Sequence, residues 1–330
     1  MPAPASVPEP PLSRTPTASD AARSRFPLEQ VHQAARMYYL EDATQASIAD
    51  RLGVSRPTVS RLLADARRAG IVRIEVLDPF IDTSKQLATE LRDALGLNAV
   101  YLAPITHPST LGADLAAPVS EAVRAMHLTA GDALLISSGQ TTYELAQHGM
   151  PALPGIQIAP TVGGYADPLP QFQTNEITRI AAQESGAFPA FLFTQALPSA
   201  QMRRSLLQDP AFQHVSGLWE RATGALLGIG AATPTRAVLA SGIPADDRAF
   251  DRSVGDVCLN FFATDGQEIE FPGSDLIVRT PPELLRNIPH AVGVAVGTHK
   301  VSSITGAVRG GLINELVTDS ATARAILDAL

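Results

Sequence analysis

The stretch 44–64 constrains this chain more than any other. Ala49 stands where two helices cross closely, and Gly53 follows four residues later, where a three-residue turn needs positive φ. Ile48, Leu52, Val54, Val59 and Leu62 recur at helical spacing and supply one shared apolar face. Ser55 suits the N-cap of a second helix, and Pro57 falls in its first turn, where no helical N–H is lost. Together these features predict a helix-turn-helix. Arg56, Thr58, Ser60 and Arg61 are left pointing outward, with Ser55 at the helix start. Guanidinium and hydroxyl groups are those that reach base edges and phosphates in a major groove, so operator DNA is the expected partner. A plain helical hairpin would also place Ala, Gly and aliphatic residues at similar spacings. Arg67, Arg68 and Arg73 read first as solvated surface charges.

Charge supports the DNA reading. The chain of 330 residues carries a net −8, yet residues 21–75 hold nine Arg against six acidic residues, a local +3. The remainder is acidic, the pattern of a nucleic-acid module joined to a body with a different task. Apolar residues make up 45% of the sequence, enough for a sizeable core. No run of about 18 apolar residues occurs, so no transmembrane helix is expected. No signal-peptide core opens the chain, and the single cysteine, Cys258, excludes an internal disulfide. The expected compartment is the cytoplasm.

Residues 1–25 carry six Pro with little large apolar side chain and predict a disordered tail. Residues 26–78 form the expected DNA-binding domain: a first helix from Pro27, two more over 44–52 and 55–69, and a strand over 71–77. From 79 to 330 the pattern alternates helix and strand. Strands are predicted at 98–102, 133–137, 156–162, 189–193, 225–229, 236–239, 275–278 and 291–296. Helices are predicted at 82–95, 112–127, 140–148, 174–186, 201–208, 282–286 and 320–329. Several strand runs are continuously apolar, as a sheet covered on both faces requires. The expected fold is therefore α/β, doubly wound and mainly parallel, behind an N-terminal helical domain.

Within that domain, Gly139 follows a strand and opens a helix whose first turn holds Gln140, Thr141 and Thr142. Free N–H groups, the positive dipole end and two hydroxyls make a cradle suited to phosphate, although such caps also occur without ligands. Gly163-Gly164 ends another predicted strand and leads to Gln173 and Asn175, either at a sheet edge that binds ligand or as a simple turn and cap. Lys300 is one of only two lysines against 23 arginines, which favours a specific ammonium role over surface charge. Asp256, after Gly255, has the chemistry to accept sugar hydroxyls or merely to solvate a loop. No Walker lysine, Gly-x-Gly-x-x-Gly or Gly-x-Ser-x-Gly is present, and the seven His lack metal-ligand spacing. Neither cofactor, metal nor catalytic residue is expected.

The order of parts resembles the SorC family of bacterial transcriptional regulators, from about residue 27 to the C-terminus. Besides the helix-turn-helix, the likeness rests on Ser138-Gly-Gln-Thr-Thr, Gly163-Gly, Gln173-Thr-Asn175, Leu197-Pro198 with Asp209-Pro210, and Leu227-Gly-Ile-Gly. Val254-Gly-Asp-Val, Gly297-Thr-His-Lys and Arg309-Gly-Gly-Leu-Ile-Asn-Glu-Leu-Val-Thr-Asp319 complete it. The resemblance implies an effector domain like those of sugar-phosphate isomerases, no longer catalytic, that binds a phosphorylated sugar and assembles into homodimers or homotetramers. Carried over, Gly139, Gln140, Thr141 and Thr142 would hold phosphate, and Gln173, Asn175, Asp256 and Lys300 would line the sugar, with Gly164 beside them. Some relatives place arginine where this chain has Val162. Two other readings stay open: a sugar-phosphate enzyme fused to a helix-turn-helix, with Asp256 and Lys300 as acid and base, and an assembly factor using the helix-turn-helix for protein contact.

Overall fold

The computed structural model describes residues 26–72, 81–104, 108–165, 169–231 and 248–330. They fall in two compact units, one within residues 1–79 and the other within 80–330. The expected tail 1–25, most of the strand 71–77 and the strand 236–239 lie outside the described residues.

The first unit packs α1 (Leu28–Tyr39), α2 (Gln45–Leu52) and α3 (Arg56–Arg68) around Val31, Ala34, Ile48, Ala49, Val59 and Leu62. The Thr44 hydroxyl accepts from Ser47 N–H at 3.2 Å and starts α2. Gly53, at φ 65°, ends it, and its Cβ position is open, so backbone conformation rather than space demands glycine. Ser55 then caps α3, accepting from Thr58 N–H at 3.3 Å.

The second unit is a seven-stranded sheet, parallel at every pairing, in the order β1-β9-β8-β5-β2-β3-β4. The strands are β1 (Ala99–Ala103), β2 (Ala133–Ile136), β3 (Gln157–Pro160), β4 (Phe188–Pro189), β5 (Ala222–Gly228), β8 (His290–Val294) and β9 (Glu315–Asp319). A hairpin, β6 (Gly255–Val257) and β7 (Asn260–Phe262), stands apart. Alternate residues of the sheet's strands other than β4 enter two cores. Leu134, Ile136, Leu226 and Val292 pack with α5 (Leu111–Ala125), α6 (Gln140–His148) and α7 (Thr174–Ser185). Leu135, Ala225, Leu227 and Ala291 pack on the other face with α4 (Ile81–Leu95), α9 (Pro210–Glu220), α11 (Val301–Arg309) and α12 (Ser320–Ala329). Two short helices, α8 (Ala200–Leu206) and α10 (Pro282–Asn287), complete the described helices. The doubly wound parallel fold is thus present.

Two strand expectations need correction. Residues 275–278 are not a strand: Gly273, at φ 91°, starts a 3-10 turn over Ser274–Leu276. The apolar residues after it are buried in an irregular segment held by Val278 N–H to Ala196 O and Thr280 N–H to Thr161 O. At 189–193 only β4 forms: Phe188 and Ala190 N–H donate to Ile156 O and Ile158 O, but the Leu192 main chain bonds the Asn175 side chain instead of continuing the ladder.

Candidate functional site

On α3, Arg56, Ser60 and Arg61 are exposed, while Val59, Leu62 and Leu63 are buried on the opposite face. Thr58 is half-buried, and its hydroxyl shares a 2.8 Å hydrogen bond with Ser55 Oγ, so this pair is already committed to starting the helix. Arg56 also borders a groove with Tyr38, Tyr39 and Gln45. Arg68 is tied to the buried Asp65 carboxylate at 2.8 Å.

The strand order of the second unit creates the other site. From β2 the chain proceeds to β3 and β4 on one side. From β5 it proceeds to β8 and β9 on the other. The switch point therefore falls between β2 and β5, where open α/β sheets bind ligands beyond their C-terminal strand ends. A cavity of about 240 Å³ lies there. Residues 137–142 after β2 and 228–231 after β5 line it, with Asp256, Cys258 and Leu259 of the hairpin and Lys300. Tyr165, Phe172, Phe250 and Phe261 add an aromatic wall.

Each polar group has a defined place. The first bond of α6 runs from Tyr143 N–H to Gly139 O at 2.9 Å, so the N–H groups of Gln140, Thr141 and Thr142 precede it, at the positive end of the helix. Gly139 N–H itself donates to Gln171 O at 2.9 Å, the Thr142 hydroxyl to Gly139 O at 3.0 Å, and Gln140 Nε2 to Glu144 at 2.8 Å. The Thr141 hydroxyl makes none of these bonds. Lys300 Nζ donates to Ile229 O at 2.7 Å. Asp256 Oδ2 accepts from Leu259 N–H at 3.0 Å, and its main-chain oxygen accepts from Gly230 N–H at 2.8 Å. A Cβ on Gly230 would stand 1.9 Å from Asp256 Oδ1, so only glycine lets the carboxylate approach this closely.

Asp319 anchors the Lys300 turn. Its Oδ2 accepts from Gly297 N–H at 3.0 Å, and its Oδ1 from Ala321 and Thr322 N–H at 2.9 Å. Burial opposes ionisation there, but the bonds from Thr322, Gly297 and Ala321 together hold its carboxyl below the ordinary range. Burial pushes the Cys258 thiol up to about 12, with Thr161 partly offsetting it. Burial likewise lowers the Arg279 guanidinium, opposed by Glu268, Glu283, Asp256 and Cys258.

Of the nine expected ligand-site residues, Gly139, Gln140, Thr141, Thr142, Asp256 and Lys300 line the cavity, and Gly164, Gln173 and Asn175 do not. Gly164 spends both main-chain groups on Thr194 and Ala196. Asn175 exchanges two side-chain bonds with the Leu192 main chain, at 2.9 and 3.2 Å. The 3-10 turn Pro170–Phe172 brings Phe172 rather than Gln173 to the cavity. The aromatic wall and Ser253 escaped the sequence reading, because they come from loops and a short hairpin without periodic signal. Among the described residues no cluster suited to a metal ion occurs, and no helix is long and apolar enough to cross a membrane.

A helix-turn-helix with exposed arginines in one unit and a polar cavity at a parallel-sheet switch point in the other are the parts of a ligand-sensing DNA-binding protein. Residues 80–328 match the sugar-binding domain family, and residues 28–79 the Crp-like helix-turn-helix domain. The chain is 31% identical to the deoxyribonucleoside regulator of Bacillus subtilis, over 90% of this chain and 97% of that one. It is 30% identical to the transcriptional regulator LsrR of Escherichia coli, over 91% and 94%. The crystal structure of the full-length sorbitol operon regulator SorC from Klebsiella pneumoniae superposes with a TM-score of 0.71 at 27% identity, covering 92% of this chain and all of that one. The chain belongs to the SorC family of sugar-binding transcriptional regulators. It is a DNA-binding regulator and not the sugar-phosphate enzyme that Asp256 and Lys300 left open.

Proposed function

We propose that this regulator is cytoplasmic and senses a phosphorylated sugar in the switch-point cavity, and that occupancy changes its affinity for operator DNA. One observation carries the reading: the N-terminal turn of α6, the Lys300 ammonium and the Asp256 carboxylate line a single cavity. Phosphate meets the first-turn N–H groups, the Thr141 hydroxyl and Lys300. Sugar hydroxyls donate to Asp256, while the ring lies along the aromatic wall. Val162 is buried and does not line the cavity, so the cation offered to the phosphate is Lys300. Arg56 and Arg61 read the operator, with Ser60 beside them. One helix-turn-helix reads only a few base pairs, so a homodimer or homotetramer binds a roughly palindromic site. A coupling of about 1–3 kcal/mol between the two sites would change operator affinity roughly 5–150-fold.

Two relatives are named for a deoxyribonucleoside and for sorbitol, and the phosphate cradle proposed here adds a terminal phosphate to each sugar, so deoxyribose 5-phosphate and sorbitol 6-phosphate head the probe panel. Calorimetry on the full chain with each phosphorylated sugar and its unphosphorylated partner tests the reading. At least one phosphorylated form is expected to bind tenfold or more tightly than its partner. Equal affinities across the panel overturn the phosphate cradle.

A further inference from the structure

The hairpin β6–β7 closes through a two-residue loop, Cys258-Leu259, between the paired residues Val257 and Asn260. Both loop residues have positive φ, 53° and 62°. That is the backbone of a type I′ turn, which the pair Asn-Gly adopts readily and a thiol followed by a γ-branched aliphatic residue does not. Both are nevertheless buried and face the effector cavity. A strained turn persists only where its surroundings over-determine it.

Three side chains do so. Asp256 accepts from Leu259 N–H through Oδ2, at 3.0 Å. The Asn260 amide donates to Val257 O at 3.0 Å, to Cys258 O at 3.5 Å and to Thr280 O at 3.1 Å. The Arg279 guanidinium donates to Leu259 O. Arg279 is itself held in place by the backbone bridge that pairs it with Val162. The loop and Asp256 therefore orient each other, with Oδ2 spent on the turn and Oδ1 standing against Gly230. We infer that Arg279 and Asn260 are positioning residues for effector recognition: they hold the strained Cys258-Leu259 turn that aims the Asp256 carboxylate into the cavity. The inference rests on the reading of Asp256 as an effector ligand.

Because Cys258 is the only cysteine, its labelling rate in the full chain reports opening of the turn without any ligand. Arg279→Gln removes a charge-assisted bond to a buried carbonyl and is expected to speed labelling by a thiol reagent about ten- to hundredfold. Leu259→Gly supplies the residue that the turn prefers, so in that background the same substitution should speed labelling less than about threefold. Asn260→Ala, which removes the amide donors, repeats the test should the R279Q chain not fold. Calorimetry with deoxyribose 5-phosphate and sorbitol 6-phosphate supplies the second readout. R279Q should weaken whichever of them the wild type binds about tenfold, with most of the loss restored by L259G. Unchanged labelling, or equal acceleration in both backgrounds, overturns the inference. So does faster labelling with unchanged affinity while Asp256→Ala loses binding. If Asp256→Ala itself retains affinity, the reading of Asp256 as a ligand falls instead, and the labelling result still shows whether the turn is held as described.

Discussion

The two units solve opposite problems with their polar groups. In α3 the groups that fold the helix and those that face outward lie on opposite sides: Val59, Leu62 and Ala66 are buried, while Arg56, Ser60 and Arg61 are exposed. In the switch-point cavity the same groups serve both purposes. Lys300 bonds Ile229, Asp256 bonds Leu259, and Thr142 bonds Gly139, all within the lining itself. Function in the first unit is thus separable from stability, whereas in the second a change at Lys300, Asp256 or Thr142 also disturbs the fold.

The hardest test of that separation is Leu62→Ala. Leu62 is fully buried in a core with nine buried apolar residues among those described, so the cavity left behind should cost about 2–5 kcal/mol. So small a core has little margin. Operator binding should be lost while calorimetric effector binding stays at the wild-type level. Loss of both would show that the units do not fold independently.

Lys300→Ala and Arg61→Ala set the two sites side by side. The first should cost about 1.5–3 kcal/mol of effector affinity and also lower the melting temperature of the second unit, because Ile229 O loses its partner. The second should cost about 1–3 kcal/mol of operator affinity with the melting temperature unmoved. A melting shift in Arg61→Ala, or none in Lys300→Ala, breaks the comparison.

The same contrast governs what the sequence reveals. The helix-turn-helix was legible because local rules set it: a cap at Ser55, positive φ at Gly53 and helical spacing of Ile48, Leu52 and Leu62. The parallel sheet was legible from its apolar runs, and Gly139–Thr142 from the strand-to-helix step. The rest of the cavity was assembled by topology. Lys300 and Asp256 stand 44 positions apart, and only the strand order brings them to one opening. The strand Glu315–Asp319 begins and ends with acidic residues, so it does not read as a buried strand, yet every residue in it is buried. The carboxylates find partners that no local pattern announces, Glu315 with His290 at 2.6 Å and Asp319 with Gly297.

Asp319 makes the coupling pH-dependent. Its carboxyl is held below the ordinary range in the folded state, so its contribution is present above the unfolded carboxylate value, about 4, and fades as the pH falls through the lower folded value. Asp319→Asn should cost about 1 kcal/mol at neutral pH, as loss of an N-cap carboxylate does, and flatten the acid side of the second unit's stability curve. It should also weaken effector binding, since the turn bearing Lys300 hangs from that carboxylate through Gly297. Melting curves between pH 3 and 7 with matched effector titrations measure both. An unchanged acid limb would remove Asp319 from this role.

The smallest effect separates two neighbouring threonines. The Thr142 hydroxyl is fully buried and donates to Gly139 O, which also receives Tyr143 N–H, so losing it leaves that carbonyl satisfied. Thr142→Val keeps the shape of the side chain and should cost only about 0.5 kcal/mol, near the low end for a neutral hydrogen bond. That corresponds to a melting shift of about 1–2 °C in a unit of this size. Effector affinity should follow only insofar as the first turn of α6 loosens. Thr141→Val removes a hydroxyl that lines the same cavity without a bond to the fold, so it should leave melting unchanged and lower affinity for the phosphorylated sugar alone. The ratio of phosphorylated to unphosphorylated affinity is the decisive quantity. It should fall in Thr141→Val and persist in Thr142→Val; the reverse pattern would move the phosphate contact one residue along the helix and place folding and binding on the same hydroxyl.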